Sequence, residues 1–194
     1  GLNMMTPARK WGSGGLAGVW AAENTREALF DAMQRRETFA TSGPRIVVSV
    51  FASWDFPSQT ATSSNFDAIA RDKGVPMGSI LVASGENEAP EFVVVAERDP
   101  MGANLDRIQM IKGWVDAKGE SQERIYDVAW SGDRVIDSVT KRLTPVGSTV
   151  DAAAATFDNS IGLPQLRAQW KDPDFDASQE AFYYGRVLGS PTPR

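Results

Sequence analysis

Three aspartates near the C-terminus have the spacing most suggestive of chemistry. The stretch DPDFDASQEAFY places Asp172, Asp174 and Asp176 at alternate positions, as at the start of a calcium-binding loop. The rest of that pattern is missing, because Ala177 stands where the loop needs glycine and Tyr183 where it needs a bidentate glutamate. On their spacing alone, these three aspartates are candidate metal ligands. The competing interpretation is a turn whose aspartates accept hydrogen bonds from their own backbone.

Two residue types on which much enzyme chemistry depends are missing, since the chain has no histidine and no cysteine. A Ser-His-Asp triad, a thiolate nucleophile, a disulfide and a zinc–sulfur site are therefore excluded within this chain. We expect no catalytic residue and no bound cofactor here. One catalytic hypothesis remains, a carboxylate enzyme using Asp172 and Asp174, which needs the two carboxyl groups roughly 5–10 Å apart across a cleft. The lack of cysteine suits an exported or periplasmic protein.

Length and charge bound the class of protein further. The 194 residues suffice for one domain, or for one domain with a small appendage, and a hydrophobic content of 42% is typical of a globular protein. The net charge is −5 and both signs are mixed along the chain, which argues against a nucleic-acid partner. No apolar run is long enough to cross a membrane, so we expect no membrane span.

A single helix is predicted near the N-terminus. Asn24 is a suitable N-cap, and Glu27 follows three residues later as in a capping box. The apolar stripe of this helix consists of Ala28, Leu29, Ala32 and Met33. The helix is expected to end near residue 36. The glycine and proline of the following TSGP prevent the helix from continuing, and an extended segment follows.

Extended segments follow at short intervals, with at most a helical turn near 66–70. The predicted strands are 45–51, 79–83, 91–97, 104–116, 122–131, 148–157, 163–170 and 181–188. The fourth and fifth form a hairpin around DAKGES. The alanines of 148–157 favour a helix by propensity, whereas its position in the series favours a strand. The sequence thus predicts a mainly β protein, an antiparallel β-sandwich of about seven or eight strands preceded by an N-terminal segment with one α-helix.

Six tryptophans form a further pattern. Exposed rings would indicate a sugar-binding platform, whereas buried rings belong to a core or to an interface. The strand pattern favours burial of Trp114 and Trp130. Two other tryptophans lie outside the strand series and are better suited to an interface, as is the apolar stripe of the helix. The predicted interface residues are Trp11, Trp20, Leu29 and Met33.

The stretch GGLAGVWAAENTREALFDAMQRRETFATSGPRI (14–46) resembles the end of a PHP-type domain, the metal-dependent phosphoesterase fold named for polymerase and histidinol phosphatase. More specifically, the chain resembles a bacterial family of unknown function (domain of unknown function 3604) that pairs a PHP-like barrel with a β-rich C-terminal part. The stretches GVPMG, GANLDRIQMIKGWVDAKGE, IYDVAWS and WKDPDFDASQEAFYYGRVL are also similar to that family.

This resemblance implies two parts, the terminal helical segment of a PHP-like barrel at 1–44 and a β-sandwich domain at 45–194. The family's divalent-metal site is built from His and Asp residues upstream of this chain, and no position here matches a catalytic residue. We therefore expect the C-terminal portion of a longer metal-dependent hydrolase, in which this part is a non-catalytic accessory β-domain packing on the catalytic barrel or shaping its cleft. The alternative is a β-sandwich module that binds carbohydrate or another ligand. The expected partners are the missing barrel of the same protein, or a second copy of the chain through the N-terminal segment.

Overall fold

A computed structural model describes residues 14–83 and 88–193. The strands are β1 (Leu16–Val19), β2 (Thr38–Thr41), β3 (Val47–Ser53), β4 (Val75–Pro76), β5 (Glu91–Glu97), β6 (Leu105–Val115), β7 (Ser121–Trp130), β8 (Gln165–Lys171) and β9 (Ala181–Gly189). The helices are α1 (Arg26–Gln34) and α2 (Phe66–Lys73), and a 3₁₀ turn spans Thr60–Thr62. The mainly β fold predicted from the sequence is confirmed.

Two antiparallel sheets form a sandwich-like arrangement, one in the order β4-β3-β5-β8 and the other in the order β7-β6-β9. Successive side chains of a strand point to opposite faces, so alternate residues of the facing strands meet between the sheets. The fully buried members of this core are Phe92, Val94, Ala96, Leu105, Ile108, Met110, Leu166 and Ala168. The predicted hairpin is formed by β6 and β7.

A second, smaller core covers the outer face of the four-stranded sheet. It contains Phe51, Phe56, Ala61, Ala70 and Val93, with Phe66 packed against it. Strand β5 is therefore buried on both faces, which explains its unbroken apolar run. Strand β3 is only half-buried over most of its length, against the expectation of a buried central strand, because its neighbour β4 has only two residues.

The N-terminal unit (residues 14–41) comprises β1, α1 and β2, with β1 and β2 paired antiparallel. Helix α1 starts after Thr25, whose Oγ1 accepts a hydrogen bond from the Ala28 backbone at 3.3 Å, so Asn24 is not the cap that we expected. The helix ends at Gln34 with Arg35 as its C-cap, and Arg36 then takes a left-handed φ of 62°. Strand β2 follows and ends at Thr41, the first residue of TSGP, and it was not predicted.

Polar contacts attach the N-terminal unit to the sandwich. The indole Nε1 of Trp20 donates to the Val48 carbonyl of β3 at 2.9 Å. Glu37 is buried, and Arg71 of α2 lies 3.5 Å from its carboxylate. These contacts attach the N-terminal unit to β3 and to α2.

Two predicted strands are wrong. Residues 148–157 form a turn closed by one bridge between Asp151 and Thr156, in which the Asp151 carboxylate accepts hydrogen bonds from the Ala153 and Ala154 amides. Residues 79–83 are not assigned to a strand, although Trp54 Nε1 donates to the Val82 carbonyl at 2.8 Å. None of the described helices is long and apolar enough to span a bilayer.

Candidate functional site

A buried ion pair lies at one end of the sandwich, between Lys112 of β6 and Asp172, which directly follows β8. The Lys112 ammonium is 2.7 Å from Asp172 Oδ2 and donates a second 2.7 Å hydrogen bond to the Asp174 carbonyl. The two side chains are only 4% and 0% exposed. A charge placed this deep is stable only when it is paired and hydrogen-bonded.

Cross-strand register explains how the pair is assembled. Lys112 stands opposite Arg124 of β7 and Tyr183 of β9, so the three side chains form one row across the sheet. The Tyr183 hydroxyl donates to Asp172 Oδ2 at 2.7 Å. Arg124 Nη1 lies 2.7 Å from Asp174 Oδ2. The row therefore holds both carboxylates of the turn after β8.

Two tyrosines, Tyr183 and Tyr126, belong to the cluster of side chains around the ion pair, and both are proton donors at neutral pH. Burial and the neighbouring Asp172 carboxylate raise the pKa of Tyr183 well above its usual value, and burial together with Asp174 does the same to the pKa of Tyr126. Hydrogen bonds from Tyr126 and Arg124 lower the pKa of Asp174. The cluster therefore combines the ionised Asp174 carboxylate with protonated phenols, an arrangement that binds one loop to one sheet and provides no tyrosinate base.

The structure gives each of the three candidate aspartates its own partners. Asp172 Oδ1 accepts the Asp174 amide at 2.9 Å, while the Asp174 carboxylate accepts the Tyr126 hydroxyl at 2.7 Å. Asp176 accepts from the Ser178 amide at 2.9 Å and from its hydroxyl at 2.7 Å. Within residues 14–83 and 88–193, no group of three acidic side chains is placed to hold a metal ion.

A large apolar space, here called the edge cleft, opens where β3 and β9 face each other. Its volume is about 1460 Å³, and the N-terminal unit, the 77–83 segment and the loop between β8 and β9 complete its walls. Representative lining residues are Phe39, Val48, Val50, Met77, Phe175 and Val187. The rings of Phe175 and Trp54 meet edge to face with centroids 5.9 Å apart, which fixes one wall.

The predicted interface residues have different surroundings. Trp11 lies outside the described residues. Trp20 and Leu29 are half-buried, whereas Met33 is 53% exposed. Phe30, which the apolar stripe did not include, is 55% exposed. The tryptophans expected in the core, Trp114 and Trp130, are half-buried rather than buried.

The buried ion pair was not predicted, although its signal is visible. Lys112 interrupts the apolar face formed by Ile108, Met110 and Trp114. A lysine on the core face of a strand requires an acidic partner, and Asp172 is 60 positions away in the sequence.

These features define the chain as an antiparallel β-sandwich protein with a small N-terminal unit of one helix and two antiparallel strands. It belongs to the family described as "Protein of unknown function (DUF3604)", whose model matches residues 2–194. No curated protein and no solved structure matched the chain in the corresponding comparisons.

Proposed function

We propose that residues 45–194 act as a non-catalytic accessory β-domain of a PHP-like, metal-dependent hydrolase. In this proposal the N-terminal unit is the last piece of the catalytic barrel, and the sandwich packs on that barrel or shapes its cleft. The resemblance of residues 14–46 to the end of a PHP domain supports the choice of partner. The rest of the support comes from the surfaces of the N-terminal unit and of the edge cleft.

The observation that carries this proposal is the incomplete cover of α1. Of the nine residues of the helix, only Ala32 is fully buried. Phe30 and Met33 remain more than half exposed, and Leu16 of β1 is also exposed. A two-stranded ladder with one helix is too small to bury a core alone, because stable units need further strands or helices. Additional barrel elements packed over Phe30 and Met33 would complete the core of the N-terminal unit.

The edge cleft supports the second half of the proposal. Strand β2 of the N-terminal unit and strands β3 and β9 of the sandwich share its walls. A barrel continuing from the N-terminal unit would therefore stand directly beside a concave surface supplied by the sandwich. Clefts between two structural units are common positions for substrate sites.

The chemistry of this chain does not fit the barrel's divalent metal. The sequence has no histidine, and the described acidic residues form no cluster of three that could bind an ion. The buried carboxylate Asp172 is already paired with Lys112. We therefore assign no metal-dependent step to these residues, and in this proposal the metal is bound by the barrel.

The first experiment tests the absence of catalysis. The purified chain is incubated with p-nitrophenyl phosphate and with carboxylic esters, with added Mn²⁺, Mg²⁺ or Zn²⁺. The expected result is the same rate as in protein-free buffer. Turnover that persists after further purification and is lost in Asp174→Asn, a change at a half-exposed side chain that leaves the buried ion pair intact, would overturn the proposal.

The second experiment tests the partner. The polypeptide encoded immediately upstream in the same reading frame is expressed separately and mixed with this chain, and the complex is measured by size-exclusion chromatography with light scattering. We expect a 1:1 complex that is weakened in the double variant Phe30→Lys/Met33→Lys and unchanged in Val139→Lys, a control at another exposed apolar position. An unrelated upstream sequence, or a complex insensitive to the double variant, would contradict the assignment.

The alternative function, a carbohydrate-binding module, is favoured by a second groove at the end of the three-stranded sheet, which is lined by aromatic and polar residues. The two functions share part of one surface, because Phe182 and Tyr184 of β9 also line the edge cleft.

A further inference from the structure

A groove of about 870 Å³ lies at the end of the three-stranded sheet, where β6 ends and β7 and β9 begin. Its lining combines two aromatic rings with amide and carboxylate side chains: Trp114, Gln122, Glu123, Gln179, Glu180 and Phe182. The groove adjoins the edge cleft, because residues 178–182, Phe182 among them, line both, and Tyr184 and Arg186 line the edge cleft.

Two aromatic rings extend from the groove along β9. Phe182 is 63% exposed and Tyr184 is 43% exposed. Their ring centroids are 6.4 Å apart and their planes are inclined by only 11°. Because they are two positions apart on one strand, both lie on the same outer face of the sheet. Exposed aromatic residues in such an ordered pair are a costly arrangement for a surface that contacts only water.

Gly113 makes room for this arrangement. It is the residue of β6 directly opposite Phe182, and a Cβ atom at Gly113 would lie 2.2 Å from Phe182 Cζ. The ring of Phe182 therefore extends across the neighbouring strand, over a position that only glycine leaves open. The phenyl group is positioned by the sheet itself.

Polar side chains are held at both ends of the aromatic pair. In the groove, Gln122 Nε2 donates to Asp116 Oδ2 at 2.9 Å. Beyond Tyr184, Arg186 donates to Gln109 Oε1 at 2.9 and 2.7 Å, and Gln109 Nε2 donates to an Asp127 carboxylate oxygen at 2.7 Å. Gln109 is buried, so Gln122 and Arg186 are the planar groups that can meet adjacent hydroxyl groups without losing further side-chain entropy.

The charge of the groove narrows the class of ligand. Its described lining includes Asp116, Glu123 and Glu180 and no lysine or arginine. Hydrogen bonds, first of all from the Glu120 amide, lower the pKa of Asp116, which keeps its carboxylate ionised at neutral pH. Phosphates and acidic sugars would be repelled in the groove, and the cation Arg186 beyond Tyr184 is already bonded to Gln109.

We propose that this surface, from the groove to Tyr184, binds a neutral oligosaccharide. The apolar faces of the sugar rings would lie on Phe182 and Tyr184, and their hydroxyl groups would hydrogen-bond to the fixed amide and carboxylate groups. This binding function goes beyond the accessory role proposed above and does not depend on it.

The test is isothermal titration calorimetry of the whole chain with neutral oligosaccharides of β-1,4-glucan, xylan, α-1,4-glucan and chitin type. We expect at least one type to bind, with a change in tryptophan fluorescence because Trp114 lines the groove. Phe182→Ala and Tyr184→Ala should each weaken the affinity by about tenfold or more. Met101→Ala, a control at a highly exposed apolar residue outside the groove, should leave the affinity unchanged.

Gly113→Ala provides an independent variant that keeps every side chain of the groove. Its methyl group should displace the Phe182 ring, which is a flexible side chain, and weaken binding to the extent of Phe182→Ala, while thermal unfolding shows a folded protein. No binding by any oligosaccharide of the panel would overturn the proposal. So would binding that is insensitive to Phe182→Ala and Tyr184→Ala, or binding of a lysine-rich peptide without binding of any sugar.

Discussion

Replacing Asp172 by alanine should destabilise the chain by about 3–5 kcal/mol, because it leaves the Lys112 ammonium buried without its counter-charge. The two side chains are 0% and 4% exposed, so water cannot replace the lost partner. Lys112→Met should cost a similar amount, since it leaves the carboxylate of Asp172 buried. For a chain of this size, such a loss corresponds to a decrease in Tm of roughly 6–20 °C.

The magnitude follows from the contacts of the carboxylate. Asp172 accepts hydrogen bonds from Lys112 Nζ, from the Tyr183 hydroxyl and from the Asp174 amide. Hydrogen bonds to charged groups each contribute about 1.5–3 kcal/mol, but bonds that share one acceptor are not additive. The sum is therefore an upper limit, and the range for breaking a buried pair is the better guide.

The double variant Lys112→Met/Asp172→Leu measures how much of each single variant's cost comes from leaving one charge buried without its partner. It removes both charges and should cost less than the sum of the two single variants by more than about 1 kcal/mol. It should not become more stable than the parent chain, because the Tyr183 hydroxyl and the Asp174 amide and carbonyl lose their partners.

The assay is urea unfolding followed by tryptophan fluorescence and by far-ultraviolet circular dichroism. Lys73→Ala is the control, because its ion pair with Asp72 is exposed and should contribute only about 0–1 kcal/mol. A cost below about 1 kcal/mol for Asp172→Ala, with an unchanged denaturant slope, would refute the assignment of a buried pair.

Two further perturbations test the rest of the structure. Gly78→Ala should destabilise the chain more than Gly119→Ala in urea unfolding. Both residues have φ near +80°, but a Cβ at Gly78 would lie 2.3 Å from the Arg36 carbonyl oxygen, whereas a Cβ at Gly119 would meet no atom within 4 Å. Equal costs would contradict the contact between Arg36 and the 77–83 segment. The pH dependence of unfolding should show losses at both extremes. Below about pH 4 stability falls because the unfolded state protonates carboxyl groups such as Asp174 whose folded pKa is lowered, and above about pH 10 it falls because the unfolded state ionises Tyr183 first. A folded-state tyrosinate absorbance at 295 nm from all three tyrosines near pH 10.5 would contradict the second part.

The strands that the sequence predicted share a strong local signal. Segments β5, β6 and β7 have long apolar or alternating runs, and β6 and β7 are joined by a turn of suitable residues. Strands β1 and β2 have four residues each, and β1 is preceded by glycines, so they form through pairing with each other rather than through a local preference. At residues 148–157 a local preference prevailed over the predicted strand. The Asp151 carboxylate accepts hydrogen bonds from nearby amides and stabilises a turn.

The buried ion pair and the aromatic pair on β9 were not predicted, for a different reason. Both depend on the register of strands that are distant in the sequence. Gly113 faces Phe182 only because β6 pairs with β9 in one particular register, and a shift by one residue would turn the phenyl ring toward the core. The same register aligns Lys112 with Tyr183. Residue types alone indicated that a lysine lay in an apolar face, but not which carboxylate compensates it.

The loop between β8 and β9 connects these features physically. Asp172 at its start is fixed by Lys112, Phe175 in its middle forms a wall of the edge cleft, and Gln179 near its end lines the groove. A buried ion pair contributes little net stability compared with well-packed apolar residues, so stability alone is a poor reason for its presence. Its directional hydrogen bonds set the position of a loop that two concave surfaces share, and an apolar pair of similar volume would leave that loop free to shift.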